Sequence, residues 1–329
     1  ELLRVHQERL NDLKTVADRL YELAGNALLL LVALLVYTGL LFLSHSERLR
    51  DPRRILLSLS LSVLVLLLTQ GLVHLAFIEL IRPELLIALV PIALAALLAV
   101  ILVDAPFALA TSLWTSFTVS MLFADRFVAL VLGLALTMVA VLAARNLYRR
   151  SRILRVGLFI GVTHAAFMVA VGFLHRQPWD IVCTQAGAAV GGGIVLAFLV
   201  LLLVPVFEML FRFTTDLHLL ELLDTTHPLL EKLAIEAPGT YHHSLMVSNL
   251  AQAAAQEVGA NSLLVRVCAY YHDIGKITKP EFFIENNPYA ENPHDELSPS
   301  MSTLIIVSHV KEGASMAAPR DPSAPSDTT

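Results

Sequence analysis

The sequence predicts an all-α protein in which a polytopic bundle of seven transmembrane helices precedes a smaller helical domain. The chain of 329 residues is 56% hydrophobic and has a mean hydropathy of +0.70, which is too apolar for an ordinary water-soluble globule. Apolar runs follow one another from Ala24 to Phe207. After Phe207 the apolar residues recur at helical spacing, without the alternation that is typical of strands.

Composition also limits the functional classes. The formal net charge of −5 is modest and predicts no surface for a nucleic acid polymer. Only two cysteines occur, Cys183 and Cys268, so a disulfide framework is not expected.

Residues 1–23 alternate charged and apolar positions at roughly helical spacing, which predicts a soluble helix leading into the membrane. About 20 apolar residues are needed to cross about 30 Å of hydrocarbon. On this criterion the transmembrane domain occupies 24–207, with spans at 24–44, 55–78, 85–103, 106–124, 127–147, 156–174 and 181–207. Because only Asp104-Ala105-Pro106 separates the third span from the fourth, a re-entrant pair or different boundaries are alternatives.

Loop charge predicts the orientation. Nine arginines lie in the loops after spans one and five, and three lie in the opposite loops. The first group is Arg48, Arg50, Arg53, Arg54, Arg145, Arg149, Arg150, Arg152 and Arg155, and the second is Arg82, Arg126 and Arg176. Basic loops stay in the cytoplasm. We therefore expect the N-terminus outside and everything after Phe207 in the cytoplasm.

The segment after the last span is a linker, 208–236. Within it, 212–233 has an amphipathic helical pattern that Pro228 interrupts. Its apolar face is expected to pack on the soluble domain or to form a homodimer contact. Further helices are predicted at Tyr241–Val258, from Asn261 or Ser262 to about Tyr271, and from Ser298-Pro299 to His309, with 277–297 irregular. The proline-rich segment 317–329 is expected to be disordered.

The chemistry centres on His272-Asp273, which supplies an imidazole and a carboxylate from adjacent residues. Alone, the dipeptide would be weak evidence, since it could be incidental to a helix that ends at Gly275. His243 upstream and His309 downstream add two further imidazoles, each on or beside a predicted helix. Such a mixed nitrogen and oxygen ligand set suits Fe, Mn or Zn better than Ca or Mg.

The order of these residues resembles the HD phosphohydrolase superfamily of helical metal enzymes. The flanking sequences Ala237 to Val247, Ala269 to Lys276, Phe282 to Asn286, Asn292 to Asp295 and Leu297 to Ser300 resemble one branch of it. This branch is the 7TM-HD family, whose characterised members are bacterial membrane-bound cyclic-di-AMP phosphodiesterases. The resemblance implies that 237–316 is an HD domain and that 1–23 is the last helix of a missing extracytoplasmic sensory domain.

The resemblance also assigns the site residues. It implies metal ligands at His243, His272, Asp273 and His309, with His243 preferred to His242 because the superfamily ligand directly precedes Ser or Thr. Asp273 is the implied bridge between the metal ions and therefore a catalytic residue. Lys276 lies four residues after His272, on the same side if the helix continues, and is a candidate catalytic and phosphate-binding residue, with a solvated surface lysine as the alternative. Asn286, Asn292 and His294 are polar loop residues that could line the nucleotide pocket. The implied reaction is signal-regulated hydrolysis of cyclic di-AMP to pApA with two divalent metal ions, Mn or Fe. The implied partners are cyclic di-AMP, the lipid bilayer and an extracytoplasmic ligand, and the implied location is a bacterial plasma (inner) membrane.

One departure from the family pattern leads to a further expectation. The family has a later His and Asp ligand, whereas this sequence continues for only 20 residues after His309. We therefore expect a C-terminally truncated, partial HD domain with one metal ion and impaired hydrolysis. An inactive nucleotide-binding receptor or regulator is an alternative. A transporter-like membrane protein is a second alternative, disfavoured because no Asp, Glu, Lys or Arg lies mid-span.

Overall fold

The computed structural model describes residues 16–43, 51–144, 150–287 and 291–318. Residues 1–15, Arg48, Arg50, Arg145, Arg149 and 319–329, on which some predictions above depend, lie outside the described residues. The chain divides into two compact units, Glu1–Thr215 and Asp216–Thr329. None of the described residues lies in a β-strand, so the all-α prediction is confirmed.

Unit one is a bundle of apolar helices. Its helices are α1 (Val16–Leu43), α2 (Pro52–Phe77), α3 (Leu86–Leu89), α4 (Ala93–Leu102), α5 (Ala105–Ser120), α6 (Arg126–Ala144), α7 (Arg150–Leu174) and α8 (Trp179–Phe211). Within the described ranges, six helical segments are long and apolar enough to cross a membrane. The protein is therefore a membrane protein.

In the structure, the third predicted span is not one continuous helix, and the fourth is a short one. The third comprises a 3-10 turn at Pro83–Leu85, the short α3 and α4, with a break at Val90-Pro91. Proline has no backbone N–H and forces the preceding residue into an extended conformation, which Val90 adopts at φ −64° and ψ 124°. The fourth, α5, has 16 residues. At 1.5 Å per residue it is about 24 Å long, shorter than the hydrocarbon thickness.

Hydroxyl groups join three helices of this unit. Tyr37 of α1 donates to Ser58 of α2, and Thr111 of α5 donates to the same oxygen at 3.0 Å. Ser62 and Thr115 share a hydrogen bond of 2.8 Å between α2 and α5. Within lipid, polar groups must be satisfied inside the protein, so these pairs fix how the three helices meet.

Helices α7 and α8 cross where three glycines meet. A Cβ atom at Gly193 of α8 would lie 2.4 Å from the Gly157 carbonyl oxygen and 2.5 Å from the Gly161 Cα of α7. Both neighbours are backbone atoms, so the helices could accept a larger residue only by moving apart. Absence of a side chain at Gly193 therefore sets the packing distance of α8, the helix that leads to unit two.

We expect Gly193→Ala to destabilise the bundle by about 1–3 kcal/mol, because the added methyl group overpacks a backbone contact. Gly191→Ala on the same helix is the matched control, since among the described residues no atom outside the local helix backbone lies within 4 Å of a Cβ there. That control should keep its stability or gain up to about 1 kcal/mol from better helix propensity. Thermal unfolding in detergent measures both, and equal melting temperatures for the two variants would contradict the packing argument.

Unit two consists of short helices and turns. It contains α9 (Asp216–Leu222), α10 (Pro228–Glu236), α11 (Pro238–Glu257), α12 (Ser262–Tyr271) and α13 (Pro299–Ala317), with 3-10 turns at Ile274–Thr278, Pro280–Phe282 and Pro293–Glu296. The predicted helix 212–233 is thus two helices, because Pro228 starts a new one with His227 as its N-cap. Asn261 caps α12 and Ser298 caps α13 as expected.

A small apolar core lies beneath the His-Asp segment. Its buried residues are Leu233, Ala237, Ile274 and Ile277, with Leu229, Tyr241 and Tyr271 packed against them. Because Ile274 follows Asp273 directly, burial of this isoleucine fixes the backbone of the His-Asp pair against α10.

Candidate metal centre

Asp273 is at the centre of the candidate site. Helix α12 ends at Tyr271, His272 is its C-cap, and Asp273 begins the turn that follows. Its side chain is only 8% exposed. A carboxylate so far removed from water needs charged or hydrogen-bonding partners.

Three imidazoles surround this carboxylate. His272 Nε2 lies 3.2 Å from Asp273 Oδ2, and His309 Nε2 of α13 lies 3.4 Å from Asp273 Oδ1. The ring of His243 on α11 is centred 5.7 Å from that of His272. One ligand atom each from His243, His272 and Asp273 lies within 4.8 Å of the other two. Four residues predicted as ligands are therefore brought together, and both Asp273 oxygens face an imidazole.

Hydrogen bonds orient two of these imidazoles. His272 Nδ1 is 2.7 Å from the Ala269 carbonyl oxygen, and His309 Nδ1 bonds the Ile306 carbonyl oxygen in the same way. A neutral imidazole that donates from Nδ1 keeps a lone pair on Nε2. Such backbone bonds are the usual second partners of metal-binding histidines.

This arrangement fits a divalent cation. The Nε2 lone pairs and the Asp273 oxygens are all acceptors, and two acceptors 3.2 to 3.4 Å apart repel unless a cation or a proton lies between them. Ligands on one ion with bonds of about 2.0–2.2 Å are separated by about this distance. The imidazole of His243 lies in the same cluster, and this third nitrogen ligand favours a metal ion over a shared proton. The donor set thus forms a candidate metal site with mixed nitrogen and oxygen ligands.

Lys276 completes the charge balance around Asp273. Its ammonium Nζ lies 2.7 Å from Asp273 Oδ2 and 2.7 Å from Glu285 Oε1, and its side chain is 13% exposed. Burial alone would lower the pKa of Lys276, but bonds to the two carboxylates raise it above its ordinary value. Burial likewise opposes ionisation of Glu285, whose pKa is nevertheless lowered, chiefly by the bond from Lys276. Both groups are therefore charged near neutral pH.

Gly275 lets α13 approach the site. A Cβ there would lie 1.9 Å from the His309 carbonyl oxygen and 2.5 Å from the Gly313 amide nitrogen. Only glycine allows this contact, which brings His309 to Asp273. The sequence suggested Gly275 as a helix end, but α12 ends four residues earlier and the glycine serves backbone packing instead.

Two tyrosines anchor the end of α12. Tyr271 donates its hydroxyl to the Leu222 carbonyl oxygen at 2.6 Å, and Tyr270 donates to the Tyr241 hydroxyl at 3.1 Å. Burial raises the pKa of Tyr271 to about 12, so it remains a donor at neutral pH. These bonds tie the residues just before His272 to α9 and α11.

The predicted substrate residues lie in the loop after Lys276. Asn286 uses both ends of its amide within the protein, since Oδ1 accepts from the Thr240 amide at 2.9 Å and Nδ2 donates to Thr240 Oγ1 at 2.9 Å. His294 Nε2 is 3.0 Å from the Phe282 carbonyl oxygen, whereas its Nδ1 is buried and has no partner among the described residues. Of the two, His294 keeps an unused polar atom.

Sequence reasoning missed Glu285 and Thr240 as parts of the site. Both residues belong to segments that carried the family resemblance, but nothing in the neighbouring sequence marks either of them as a metal ligand. Their role depends on a contact between residues 45 apart, Thr240 Oγ1 to Glu285 Oε1 at 3.0 Å. A covarying pair in related sequences would be the signal that reveals such a contact.

The fold and the site define a helical membrane protein with a candidate metal-binding domain. Residues 22–215 match the family model described as a 7TM receptor with intracellular HD hydrolase, and residues 240–323 match the HD domain. The chain therefore belongs to the family of 7TM receptors with an intracellular HD hydrolase.

Curated relatives include two proteins named cyclic-di-AMP phosphodiesterase PgpH. The Bacillus subtilis protein is 46% identical over 171 residues, covering 51% of this chain and 24% of the relative. The Listeria monocytogenes protein is 43% identical over 177 residues, covering 53% of this chain and 25% of the relative. The chain thus spans about a quarter of the length of these relatives.

A similar solved structure is the L. monocytogenes PgpH HD domain in complex with cyclic di-AMP. The aligned residues are 57% identical in sequence. They cover 28% of this chain and 44% of the chain in the solved structure, with a TM-score of 0.28.

Proposed function

We propose that this protein is a membrane-anchored, metal-dependent phosphodiesterase that hydrolyses cyclic di-AMP to pApA under the control of an extracytoplasmic signal. The observation that carries the proposal is the convergence of His243, His272, Asp273 and His309. Similarity to proteins named cyclic-di-AMP phosphodiesterase supports the substrate. It favours an enzyme over an inactive receptor or a transporter.

In this reaction the oxygen of a water molecule bonds to phosphorus while the bond to a ribose 3′ oxygen breaks. The leaving 3′ oxygen takes up a proton, and the product is linear pApA. A divalent ion, which we propose to be Mn or Fe, would lower the pKa of water and offset charge on phosphoryl oxygens when bound. The four ligand residues would hold it, with Asp273 offering one oxygen toward His272 and the other toward His309.

The other proposed roles follow from the contacts in the site. Lys276 holds the Asp273 carboxylate in place and adds positive charge beside it. We propose that His294 and Asn286, which both lie after Lys276 in the chain, line the nucleotide pocket.

Turnover by the protein in nanodiscs tests the proposal. After metal removal and reloading with Mn²⁺ or Fe²⁺, pApA should form from cyclic di-AMP, and a chelator should stop its formation. Absence of both cyclic di-AMP binding and pApA formation in the metal-loaded protein would refute the proposed function.

The proposed orientation places the HD domain on the cytoplasmic side of a bacterial plasma (inner) membrane. Cysteine labelling tests this orientation. In a background with Cys183 and Cys268 replaced by serine, Arg155→Cys should escape an impermeant maleimide in intact cells and react after permeabilisation. Arg82→Cys, the matched arginine of an opposite loop, should react in intact cells. Both positions are exposed in the structure. The reverse labelling pattern would overturn the orientation.

A further inference from the structure

We propose that Glu285 is a positioning residue for the metal site, acting through Lys276 and through the start of α11. This inference rests on the proposed function, because it assigns Glu285 a part in holding the ligands of that same site. Glu285 touches none of the four ligand residues by a hydrogen bond in the part of the chain that the structure describes. Its effect is transmitted by its neighbours.

The first connection runs through the ammonium of Lys276. That group is held on three sides: by Asp273 Oδ2 at 2.7 Å, by Glu285 Oε1 at 2.7 Å and by the Phe283 ring, whose centroid is 4.7 Å from Nζ. An ammonium has three N–H donors in fixed relative directions. Glu285 and Phe283 therefore set the direction of the remaining donor, which points at Asp273.

The consequence for Asp273 is a fixed carboxylate plane. Lys276 binds Oδ2, and this leaves Oδ1 toward His309. If Lys276 were free to turn, the Asp273 carboxylate could rotate away from the imidazoles. Glu285 thus prevents a loss of ligand geometry without contacting the ligands.

The second connection runs to α11, the helix that carries His243. Glu285 Oε1 accepts from Thr240 Oγ1 at 3.0 Å, and Asn286 bonds the Thr240 amide and hydroxyl. Thr240 precedes His243 by three residues, about one helical turn, so both lie on one face of α11.

The backbone contact at Gly239 tightens this connection. A Cβ at Gly239 would lie 1.8 Å from the Glu285 carbonyl oxygen, so the loop lies directly on the first turn of α11. One carboxylate oxygen of Glu285 therefore joins Lys276, beside Asp273, to the helix that carries His243. It sets the distance between ligands that are 30 residues apart in sequence.

Glu285→Ala should weaken Mn²⁺ binding by about 10- to 100-fold, the effect typical of removing an outer partner of metal ligands. It should lower kcat for cyclic di-AMP with little change in KM, because ligand geometry rather than substrate contact is lost. It should also speed hydrogen exchange at the amides of residues 239–243. Glu285→Gln keeps an oxygen at the same reach but has no charge. It should therefore show each of these three effects only in part.

Glu281→Ala is the matched control, because Glu281 is an exposed carboxylate in the same loop. It should leave Mn²⁺ affinity, kcat and exchange at 239–243 unchanged. Mn²⁺ affinity is measured by electron paramagnetic resonance on the full chain in nanodiscs, and exchange by mass spectrometry.

Unchanged Mn²⁺ affinity and exchange in Glu285→Ala would overturn the positioning role. If the unmodified protein neither binds Mn²⁺ nor cleaves cyclic di-AMP, the proposed function fails instead. Exchange at 239–243 then still decides whether Glu285 holds α11, since that readout needs neither metal nor substrate.

Discussion

Asp273→Asn should abolish metal binding and reduce cyclic di-AMP hydrolysis about a thousandfold. Asparagine keeps the shape of the side chain but loses its charge and replaces one oxygen by an amino group. His272, His309 and Lys276 all lie within 3.4 Å of this carboxylate, so loss of its charge removes a partner that the three side chains share. A loss of about 4 kcal/mol of transition-state stabilisation corresponds to about a thousandfold in rate.

Elemental analysis and pApA formation measure the two effects on the same preparations. Asp295→Asn is the control, since Asp295 is an exposed carboxylate of the same unit whose partner is Asn292 at 3.0 Å. It should retain full metal content and full turnover. An Asp273→Asn protein with the metal content of the unmodified chain would contradict the assignment of Asp273 as a ligand.

The membrane part of the fold could be predicted because hydrocarbon imposes one simple requirement, about 20 apolar residues per span. What escaped prediction was the break at Val90-Pro91 and the shortness of α5. Hydropathy is nearly constant through residues 85–103, so it does not report where a helix is interrupted. The proline is the physical signal of the break, and it acts on backbone hydrogen bonds rather than on hydropathy.

The candidate site was predictable in its ligand types and less so in its supports. His243, His272, Asp273 and His309 are chemically distinctive, and helical spacing places them at helix faces and ends. The supports are generic residues whose roles depend on tertiary contacts. Gly275 admits α13, and Glu285 links Lys276 to α11. Neither contact follows from local sequence, because each joins segments that only the folded chain brings together.

His243→Ala and His242→Ala should differ sharply although the residues are adjacent. On an α-helix neighbouring side chains point about 100° apart. His243 faces His272 with ring centroids 5.7 Å apart, whereas the His242 ring packs edge-on against Tyr241 at 5.8 Å and is not in the ligand cluster. Loss of His243 removes a proposed ligand atom, and loss of His242 removes only an aromatic contact.

We therefore expect His243→Ala to lower Mn²⁺ affinity by more than about 100-fold, beyond the range for outer partners of a metal site. His242→Ala should stay within about threefold of the unmodified protein, since an exposed side chain outside the ligand cluster has little influence on the metal ligands. Titration of Mn²⁺ followed by electron paramagnetic resonance measures both affinities on the folded protein, with circular dichroism as a check on helix content. Equal losses in the two variants would show that the ligand on α11 is assigned to the wrong histidine or is shared between the pair.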